Sequence, residues 1–557
     1  MKLMSKLRTL VLIFLFTVSI GGKNTEKADF IYYNGTILTV NDLDEIVEAI
    51  AIRDGILIAV GTKKEVFEHQ DKNTILHDLE GKTLLPGFIA SHEHPTLSAL
   101  FSGMVDVSGF KNKSNEEVWG SLREAVKKTP KGEWIYAMGL DPALVPDLQI
   151  PTRKKLDELS VDHPIFIIAQ SIHSFWANTK AFEEIGLSRS SKDPGNGSYY
   201  ERDSEGDFTG YIVESAAAGP FLERLKSPLR IYNRYTLTLD NLLHSGFTSV
   251  ASLGYNVPPL FAKIAASKNF KPRIRQFFYL VKDELKYLPG KPDSSDPYFQ
   301  ILGIKLWHDG SPYMGGMYLD DPYLNNSLTE KMGIAPGSNG NSHLTELEII
   351  DLAKKYSDLG WQVSVHAQGD KSNREVLTAL SKVESVTSKL PFRVEHCLLL
   401  PIENLPTMKK NRITPSFHIN HLYYYGDVLQ DSLLGETRAN LILPVKSSFM
   451  NNLYPTLHAD SPMFPADAFS LMQTAITRKT KSGRILGAKE AITNREAIRA
   501  MTVNGAYQIG MKDKLGSLEV GKWADMVILD KNPYDTRGED FHKIQIQKVL
   551  LNGEEAK

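Results

Sequence analysis

Eight short apolar, β-branched runs recur between about residues 84 and 460, most of them separated by stretches of helical texture. They are LLPGFIASHEHP near 84, FTSVASLG near 247, IRQFFYLV near 274, LGIKLWHDG near 302, WQVSVHAQGD near 361, FRVEHC near 392, ITPSFHIN near 413 and PTLHADSP near 455. Strand and helix alternating over such a length predict βα units with a mostly parallel sheet, and eight units predict an α/β fold of the TIM (β/α)8 barrel type. The gap between the first and second runs is far longer than one helix, so an inserted subdomain is expected over about 97–245.

The two ends of the chain read differently. DFIYYNGTILTV and EAIAIRDGILIAVG near the start, and WADMVILD and KVLLNGE near the end, are short alternating strands. Asn34-Gly35 and Asp54-Gly55 lie between strand-like runs and predict hairpins. Each end alone has too few strands for independent stability. A composite β-sandwich from residues 28–83 plus 505–557 is therefore expected around a barrel spanning 84–504.

With 64 Lys plus Arg against 66 Asp plus Glu, the formal net charge of -2 leaves no excess to neutralise a nucleic-acid backbone or an anionic membrane. A small-molecule substrate is the better expectation. The chain opens with Lys2, Lys6 and Arg8, an apolar stretch from Leu10 to Ile20, then Gly21 and Gly22, which reads as a signal peptide over residues 1–22. That stretch is short of the ~20 residues a spanning helix needs. The mature protein is expected to be exported, periplasmic or secreted, with no permanent membrane span, and a homo-oligomer is compatible with its composition. The single cysteine, Cys397, excludes an intramolecular disulfide and a thiolate-rich metal site. It reads as a small buried apolar residue.

Barrel active sites lie at the C-terminal ends of the strands. His92 and His94 end the first run, and a side-chain period of two points both to one side with Glu93 facing away. His366 and His396 end two further runs, and Asp460 ends the eighth. Lys305 sits inside the apolar run GIKLW, where an unpaired ammonium is costly to bury. Either it pairs with a carboxylate such as Asp309, or its amine captures carbon dioxide and becomes a carbamate able to bridge two metals. Four His and one Asp without a thiolate suit zinc by default, with manganese, nickel or iron allowed by oxygen donors. Such an ion brings the pKa of a bound water toward ~7 and polarises a carbonyl, while Asp460 takes the proton and passes it to a leaving nitrogen.

The order His92-x-His94, Lys305, His366, His396, Asp460 resembles the amidohydrolase superfamily, and LLPGFIASHEHP, KLWHDGS, HAQGD, EHC, ADSP and LGSLEVGKWADMVILDKNPYD are similar to its family 3 branch. The resemblance implies a distorted TIM barrel with one or two divalent metal ions and a sandwich built from both termini. His92 and His94 are implied to bind the more buried ion and His366 and His396 the second. Lys305 is implied to be a carboxylated bridging ligand, and Asp460 a ligand and general base. The HSFWAN stretch from His173 to Asn178 resembles part of an inserted region that reaches toward the substrate, making His173 a candidate substrate contact beside Trp307. Glu93 and the pair His458-Ala459 depart from the family pattern, and His458 is expected behind a ligand rather than on the metal.

These readings converge on a hydrolase of non-peptide carbon–nitrogen bonds: an amide, an N-substituted formamide or a cyclic amide. A heterocycle deaminase uses the same ligand set and is the alternative. A metal-binding protein without turnover is disfavoured because Asp460 and every candidate His are present. Trp176, Trp307, Phe417 and Tyr423 to Tyr425 are read first as packing groups and second as hints of an apolar or aromatic substrate group.

Overall fold

The computed structural model describes residues 26–195, 198–254, 263–264, 267–268, 271–383 and 389–556. The expected signal segment, 1–22, lies outside the described residues. Eight parallel strands form one sheet in strict chain order: β1 (Phe88–Glu93), β2 (Phe247–Leu253), β3 (Arg275–Leu280), β4 (Phe299–Trp307), β5 (Gln362–Ala367), β6 (Phe392–His396), β7 (Ile413–His418) and β8 (Thr456–His458). They coincide with the eight apolar runs, and the sheet is a TIM barrel. Apart from β4, every residue in these strands is buried. Helices cover the outer face and the inner face is packed, so the strands read as continuous apolar runs rather than as alternating ones.

β8 and β1 share no backbone ladder, and a side chain closes the seam. Glu93, wholly buried, accepts the Ala459 N–H at 3.2 Å and the Ser461 N–H at 2.5 Å, and the His94 N–H donates to the Ser461 carbonyl at 3.0 Å. Burial pushes the Glu93 carboxyl up to about 7, against the bonds from Ser461 and Ala459 that pull it down. Glu93 does face away from His92 and His94, and the seam is the reason it is a carboxylate.

Between β1 and β2 lies a six-stranded sheet made of Val105–Asp106, Ile135–Leu140, Ile165–Ala169, Ser174–Ala177, Phe208–Val213 and Tyr199–Arg202, with apolar clusters of its own. A third sheet of eight strands joins the two ends of the chain, because Thr83–Pro86 pairs antiparallel with Met526–Leu529. Asp54-Gly55 turns a hairpin between Ile46–Arg53 and Ile56–Gly61. Asn34-Gly35 does not. It lies within the strand Phe30–Leu38 at an irregularity where the neighbour changes from Ile75–Asp78 to Thr83–Pro86. A Cβ on Gly35 would stand 2.4 Å from the Lys82 carbonyl oxygen, so glycine is needed there for close approach, not for a turn.

This sheet is fastened to the barrel through Arg275, the first residue of β3. Its guanidinium donates to both oxygens of Asp525 at 2.6 and 2.9 Å, to Asn552 Oδ1 and to the Pro297 carbonyl, and lies 3.9 Å from the Trp523 ring centre. Among the described residues, no helix is long and apolar enough to cross a membrane.

Candidate metal centre

The strand-end residues meet at the barrel mouth. His92 Nε2 and His94 Nε2 lie 3.3 and 2.9 Å from Asp460 Oδ1. The His396 ring centre is 4.8 Å from that of His92 and 4.2 Å from that of His366. Lys305, at 2% exposure, is carried into the same space by β4. His396 and Asp460 hold positive φ, 74° and 59°, a conformation that costs a non-glycine residue and is found where surrounding structure enforces it.

Among the described residues, three groups have donor atoms within 4.8 Å of one another: His92, His94 and Asp460; His92, His396 and His458; and His396, His418 and Asp460. His366 joins none of the three. Its Nε2 points toward Asp309 Oδ1 at 3.4 Å.

The donors fit a cation. His366 Nε2 and Lys305 Nζ are buried without a hydrogen-bond partner among the described residues, and His92 Nε2 and His94 Nε2 both crowd one oxygen of Asp460. Leaving a buried polar atom unsatisfied costs about 1–3 kcal/mol, and a shared ion removes that cost for several atoms at once. Burial alone would raise the Asp460 carboxyl; its contacts with His92 and His94 outweigh that and hold it well below the usual carboxylate range. Burial lowers the Lys305 ammonium to about 8, against the pull of Glu395 and Asp460.

The alternative pairing of Lys305 with Asp309 is overturned. The Asp309 carboxylate instead accepts the backbone N–H groups of Gln368 at 2.9 Å, Gly369 at 2.9 Å and Tyr318 at 3.1 Å, so its lone pairs are committed to the loops after β4 and β5.

Supporting residues that the sequence did not single out fix the ligands. Glu395 accepts from His92 Nδ1 at 2.8 Å, from Ser364 Oγ at 2.7 Å and from Arg393 Nε at 2.8 Å. The proton of His92 is thereby held on Nδ1, and Nε2 faces the cluster. Two charged residues alternating within the buried run FRVEHC were the signal available. Ser416 Oγ meets His458 Nδ1 at 2.9 Å, and the His458 ring stacks on His92 at 4.5 Å, while its donor atom also groups with those of His92 and His396. His94 Nδ1 lies 3.2 Å from the Gly254 carbonyl. Gly254 has φ +98°, and a Cβ there would stand 2.3 Å from Val281 Cγ1 and 3.3 Å from the Trp307 ring, so only glycine can present that carbonyl.

Trp307 is thus at the mouth, its ring centre 5.4 Å from Lys305 Nζ. His173 is not drawn into the donor groups: its Nδ1 lies 3.1 Å from both Glu214 oxygens and its side chain is 45% exposed. Phe417 and Tyr425 are core residues with no exposure, and Cys397 is likewise buried, its thiol raised well above the ordinary value by burial. Beside the mouth, a cavity of about 350 Å3 between the inserted sheet and the loop after β4 is walled by Trp176, Tyr211, Tyr313 and Met314. Tyr313 Oη meets His421 Nδ1 at 2.6 Å, linking that wall to the His418 ring 4.1 Å from His421.

The profile of the amidohydrolase family matches residues 76–556. An N-substituted formamide deformylase from Arthrobacter pascens is 25% identical over 548 residues, covering 95% of this chain and 98% of that protein. A solved structure of an uncharacterised metal-dependent hydrolase from Pyrococcus horikoshii superposes with a TM-score of 0.73 at 25% identity, over 91% of this chain and 99% of the other. Its counterpart from Pyrococcus furiosus superposes with a TM-score of 0.72 at 25% identity, over 91% and 100%.

Proposed function

This chain belongs to the amidohydrolase family, whose members bind divalent metal ions, and on that premise we propose that it hydrolyses a non-peptide carbon–nitrogen bond in a small molecule, an amide or N-substituted formamide. The observation that carries this reading is the set of buried, unpartnered donors gathered around Asp460 at the C-terminal mouth of the barrel. Imidazole and carboxylate donors without a thiolate favour zinc. When bound, the ion supplies Lewis acidity toward a carbonyl and makes water a stronger acid.

The residues divide the remaining work. Glu395 and the Gly254 carbonyl hold Nδ1 of His92 and His94, so that Nε2 of each faces Asp460 and would be the atom that holds an ion. Asp460, kept ionised by its histidine contacts, is the base: it takes a proton on a carboxylate oxygen and returns it to the departing nitrogen, so that an amine leaves and a carboxylic acid remains. Lys305, buried without an acceptor, is proposed to react through neutral Nζ with carbon dioxide, releasing one proton and forming the carbamate that adds an oxygen donor. Trp307 and the aromatic cavity suit a substrate with an apolar substituent on its nitrogen or acyl side.

The test is turnover of zinc-loaded protein on a panel of N-alkyl and N-aryl formamides, acetamides, cyclic amides and aminoheterocycles, with amine, carboxylate and ammonia assayed separately. Release of amine with carboxylate is expected. Ammonia from an aminoheterocycle alone would move the assignment to a deaminase, and no turnover across the panel by metal-loaded protein would reject hydrolysis of this class.

A further inference from the structure

Asp460 lies two residues beyond the end of β8, so no strand ladder holds it. Its φ of 59° is one that a non-glycine residue keeps only where its surroundings enforce it. The enforcing contacts come from Glu93. One carboxylate oxygen accepts the Ala459 N–H at 3.2 Å and the other accepts the Ser461 N–H at 2.5 Å, a bond on each side of Asp460. The Ser461 hydroxyl is a further partner of the same carboxylate, and the His94 N–H donates to the Ser461 carbonyl at 3.0 Å. Three consecutive residues at the end of β1 therefore grip residues 459–461 from both faces. His92 and His94 meet the Asp460 side chain, and Glu93 holds the backbone around it.

Closing a seam does not by itself call for a carboxylate. Glu93 is wholly buried, and the partners that hold it are N–H groups and a hydroxyl rather than a cation, so it carries a desolvation cost that an apolar side chain would not. Backbone ladders join β1 to β2 and β7 to β8 without any such device. Between β8 and β1 a side chain takes the ladder's place, and the three residues it holds are centred on the proposed base.

We propose that Glu93 is a positioning residue for the reaction: its two oxygens fix the N–H groups that flank Asp460, and so fix the direction in which the Asp460 carboxylate points. The inference rests on the reading of Asp460 as the base and concerns how that base is aimed, not which bond is broken. Glu93 acts through Asp460 and touches no reacting atom. A base misplaced by about 1 Å loses on the order of 10^2 in rate, while substrate contacts made elsewhere are kept.

Glu93→Gln tests this, because it keeps the side-chain length and one acceptor oxygen but turns an NH2 group on the second N–H. Full-length wild type, Glu93→Gln, Asp460→Asn and the double variant are brought to equal zinc content. Values of kcat and KM are measured on whichever amide or formamide of the panel above the wild type turns over fastest, and amide hydrogen exchange is followed over residues 454–466. For Glu93→Gln, kcat is expected to fall by about 10–100-fold at unchanged KM. Exchange should quicken at 459–461 with the rest of the barrel unchanged, and the substitution should cost nothing further once Asp460→Asn is present. An unchanged kcat overturns the proposal, as does a loss that multiplies with that of Asp460→Asn, or exchange at 459–461 that does not quicken. If Glu93→Gln does not fold, Glu93→Asp takes its place, since it keeps the charge but is one methylene too short to span both N–H groups. If neither folds, exchange in the wild type decides: slow amides at Ala459 and Ser461 within a faster loop support the grip, and amides that exchange with the loop overturn it. Wild-type protein that turns over nothing on the panel removes the reaction itself; exchange reads the grip without turnover, which separates the two failures.

Discussion

At the N-terminal ends of the barrel strands, the large buried polar side chains Gln508, Gln362 and Arg275 have their hydrogen-bond capacity met within the protein. Gln508 Nε2 donates to the Pro415 and Tyr454 carbonyls and to Thr414 Oγ1, and its Oε1 accepts from Thr456. Gln362 donates to the carbonyls of Pro391 and Gln508 and accepts from Tyr279 at 2.5 Å, and Arg275 spends its fork on Asp525, Asn552 and Pro297. At the C-terminal ends, Lys305, His366 and His418 each keep a buried atom with no such partner, and His92 and His94 crowd one oxygen of Asp460. One chain has built both ends from similar residue types at similar burial. What separates structure from function is therefore not polarity or depth but whether the hydrogen-bond capacity is consumed within the protein.

The largest effects should come from opposite ends and differ in kind. Asp460→Asn keeps the shape of the side chain and removes its charge and basicity, so activity is expected to fall about 10^3-fold, while the melting temperature stays within a few degrees of wild type. Steady-state kinetics and a thermal melt on the same preparation check both halves. Arg275→Ala leaves Asp525 buried and unpaired, for an expected loss of about 3–5 kcal/mol of stability. Metal content per folded molecule should be unchanged. If Arg275→Ala lost metal before it lost structure, or if Asp460→Asn unfolded the protein, the two ends would not be separable in the way the hydrogen bonds indicate.

Between these extremes lies Glu395, which is satisfied like the lower end but serves the upper one. Glu395→Gln keeps an acceptor for Arg393 but no longer fixes the His92 tautomer through a charge-assisted bond. A loss of roughly 10–100-fold in metal affinity is expected. Competition with a chromophoric chelator measures it, and an unchanged affinity would mean that the carboxylate only anchors Arg393.

The strands were legible because a parallel barrel buries both faces, so each strand leaves an apolar run bounded by turns. His92, His94, His366, His396 and Asp460 were legible for a related reason: a polar residue that ends such a run can only emerge at the mouth. His418 ends ITPSFHIN in the same manner, so its position can be read, but its lack of partners depends on what β6 and β8 place around it. Lys305 stood out as a charge in an apolar run. Its escape from Asp309 did not, because Asp309 is claimed by backbone N–H groups of loops distant in sequence. Asn34-Gly35 misled for the opposite reason: a dipeptide that permits a turn also permits a close approach, and only the neighbouring strands decide which is used.

The smallest expected effect tests a group that shares features of both ends. Asp141, at the edge of the inserted sheet, is satisfied: it accepts from Tyr425 Oη at 2.5 Å and from the Ala143 N–H at 2.7 Å. Burial nevertheless raises its carboxyl from the ordinary 3.8 to about 6, the two bonds pulling it down only in part. Folding thus favours the protonated acid. The stability this contributes is fully present below the unfolded value near 4 and is lost as pH rises through about 6. A shift of that size corresponds to about 3 kcal/mol, with burial as its source. Asp141→Asn can still accept both bonds and cannot ionise, so the variant should lack this loss. Melting temperatures of the two proteins are expected to diverge between pH 4 and 7, in favour of the variant in the upper part of the range, and then to run parallel. A difference that stays flat across that interval would mean that Asp141 remains charged when buried, held by Tyr425 and Ala143 as fully as Asp525 is held by Arg275.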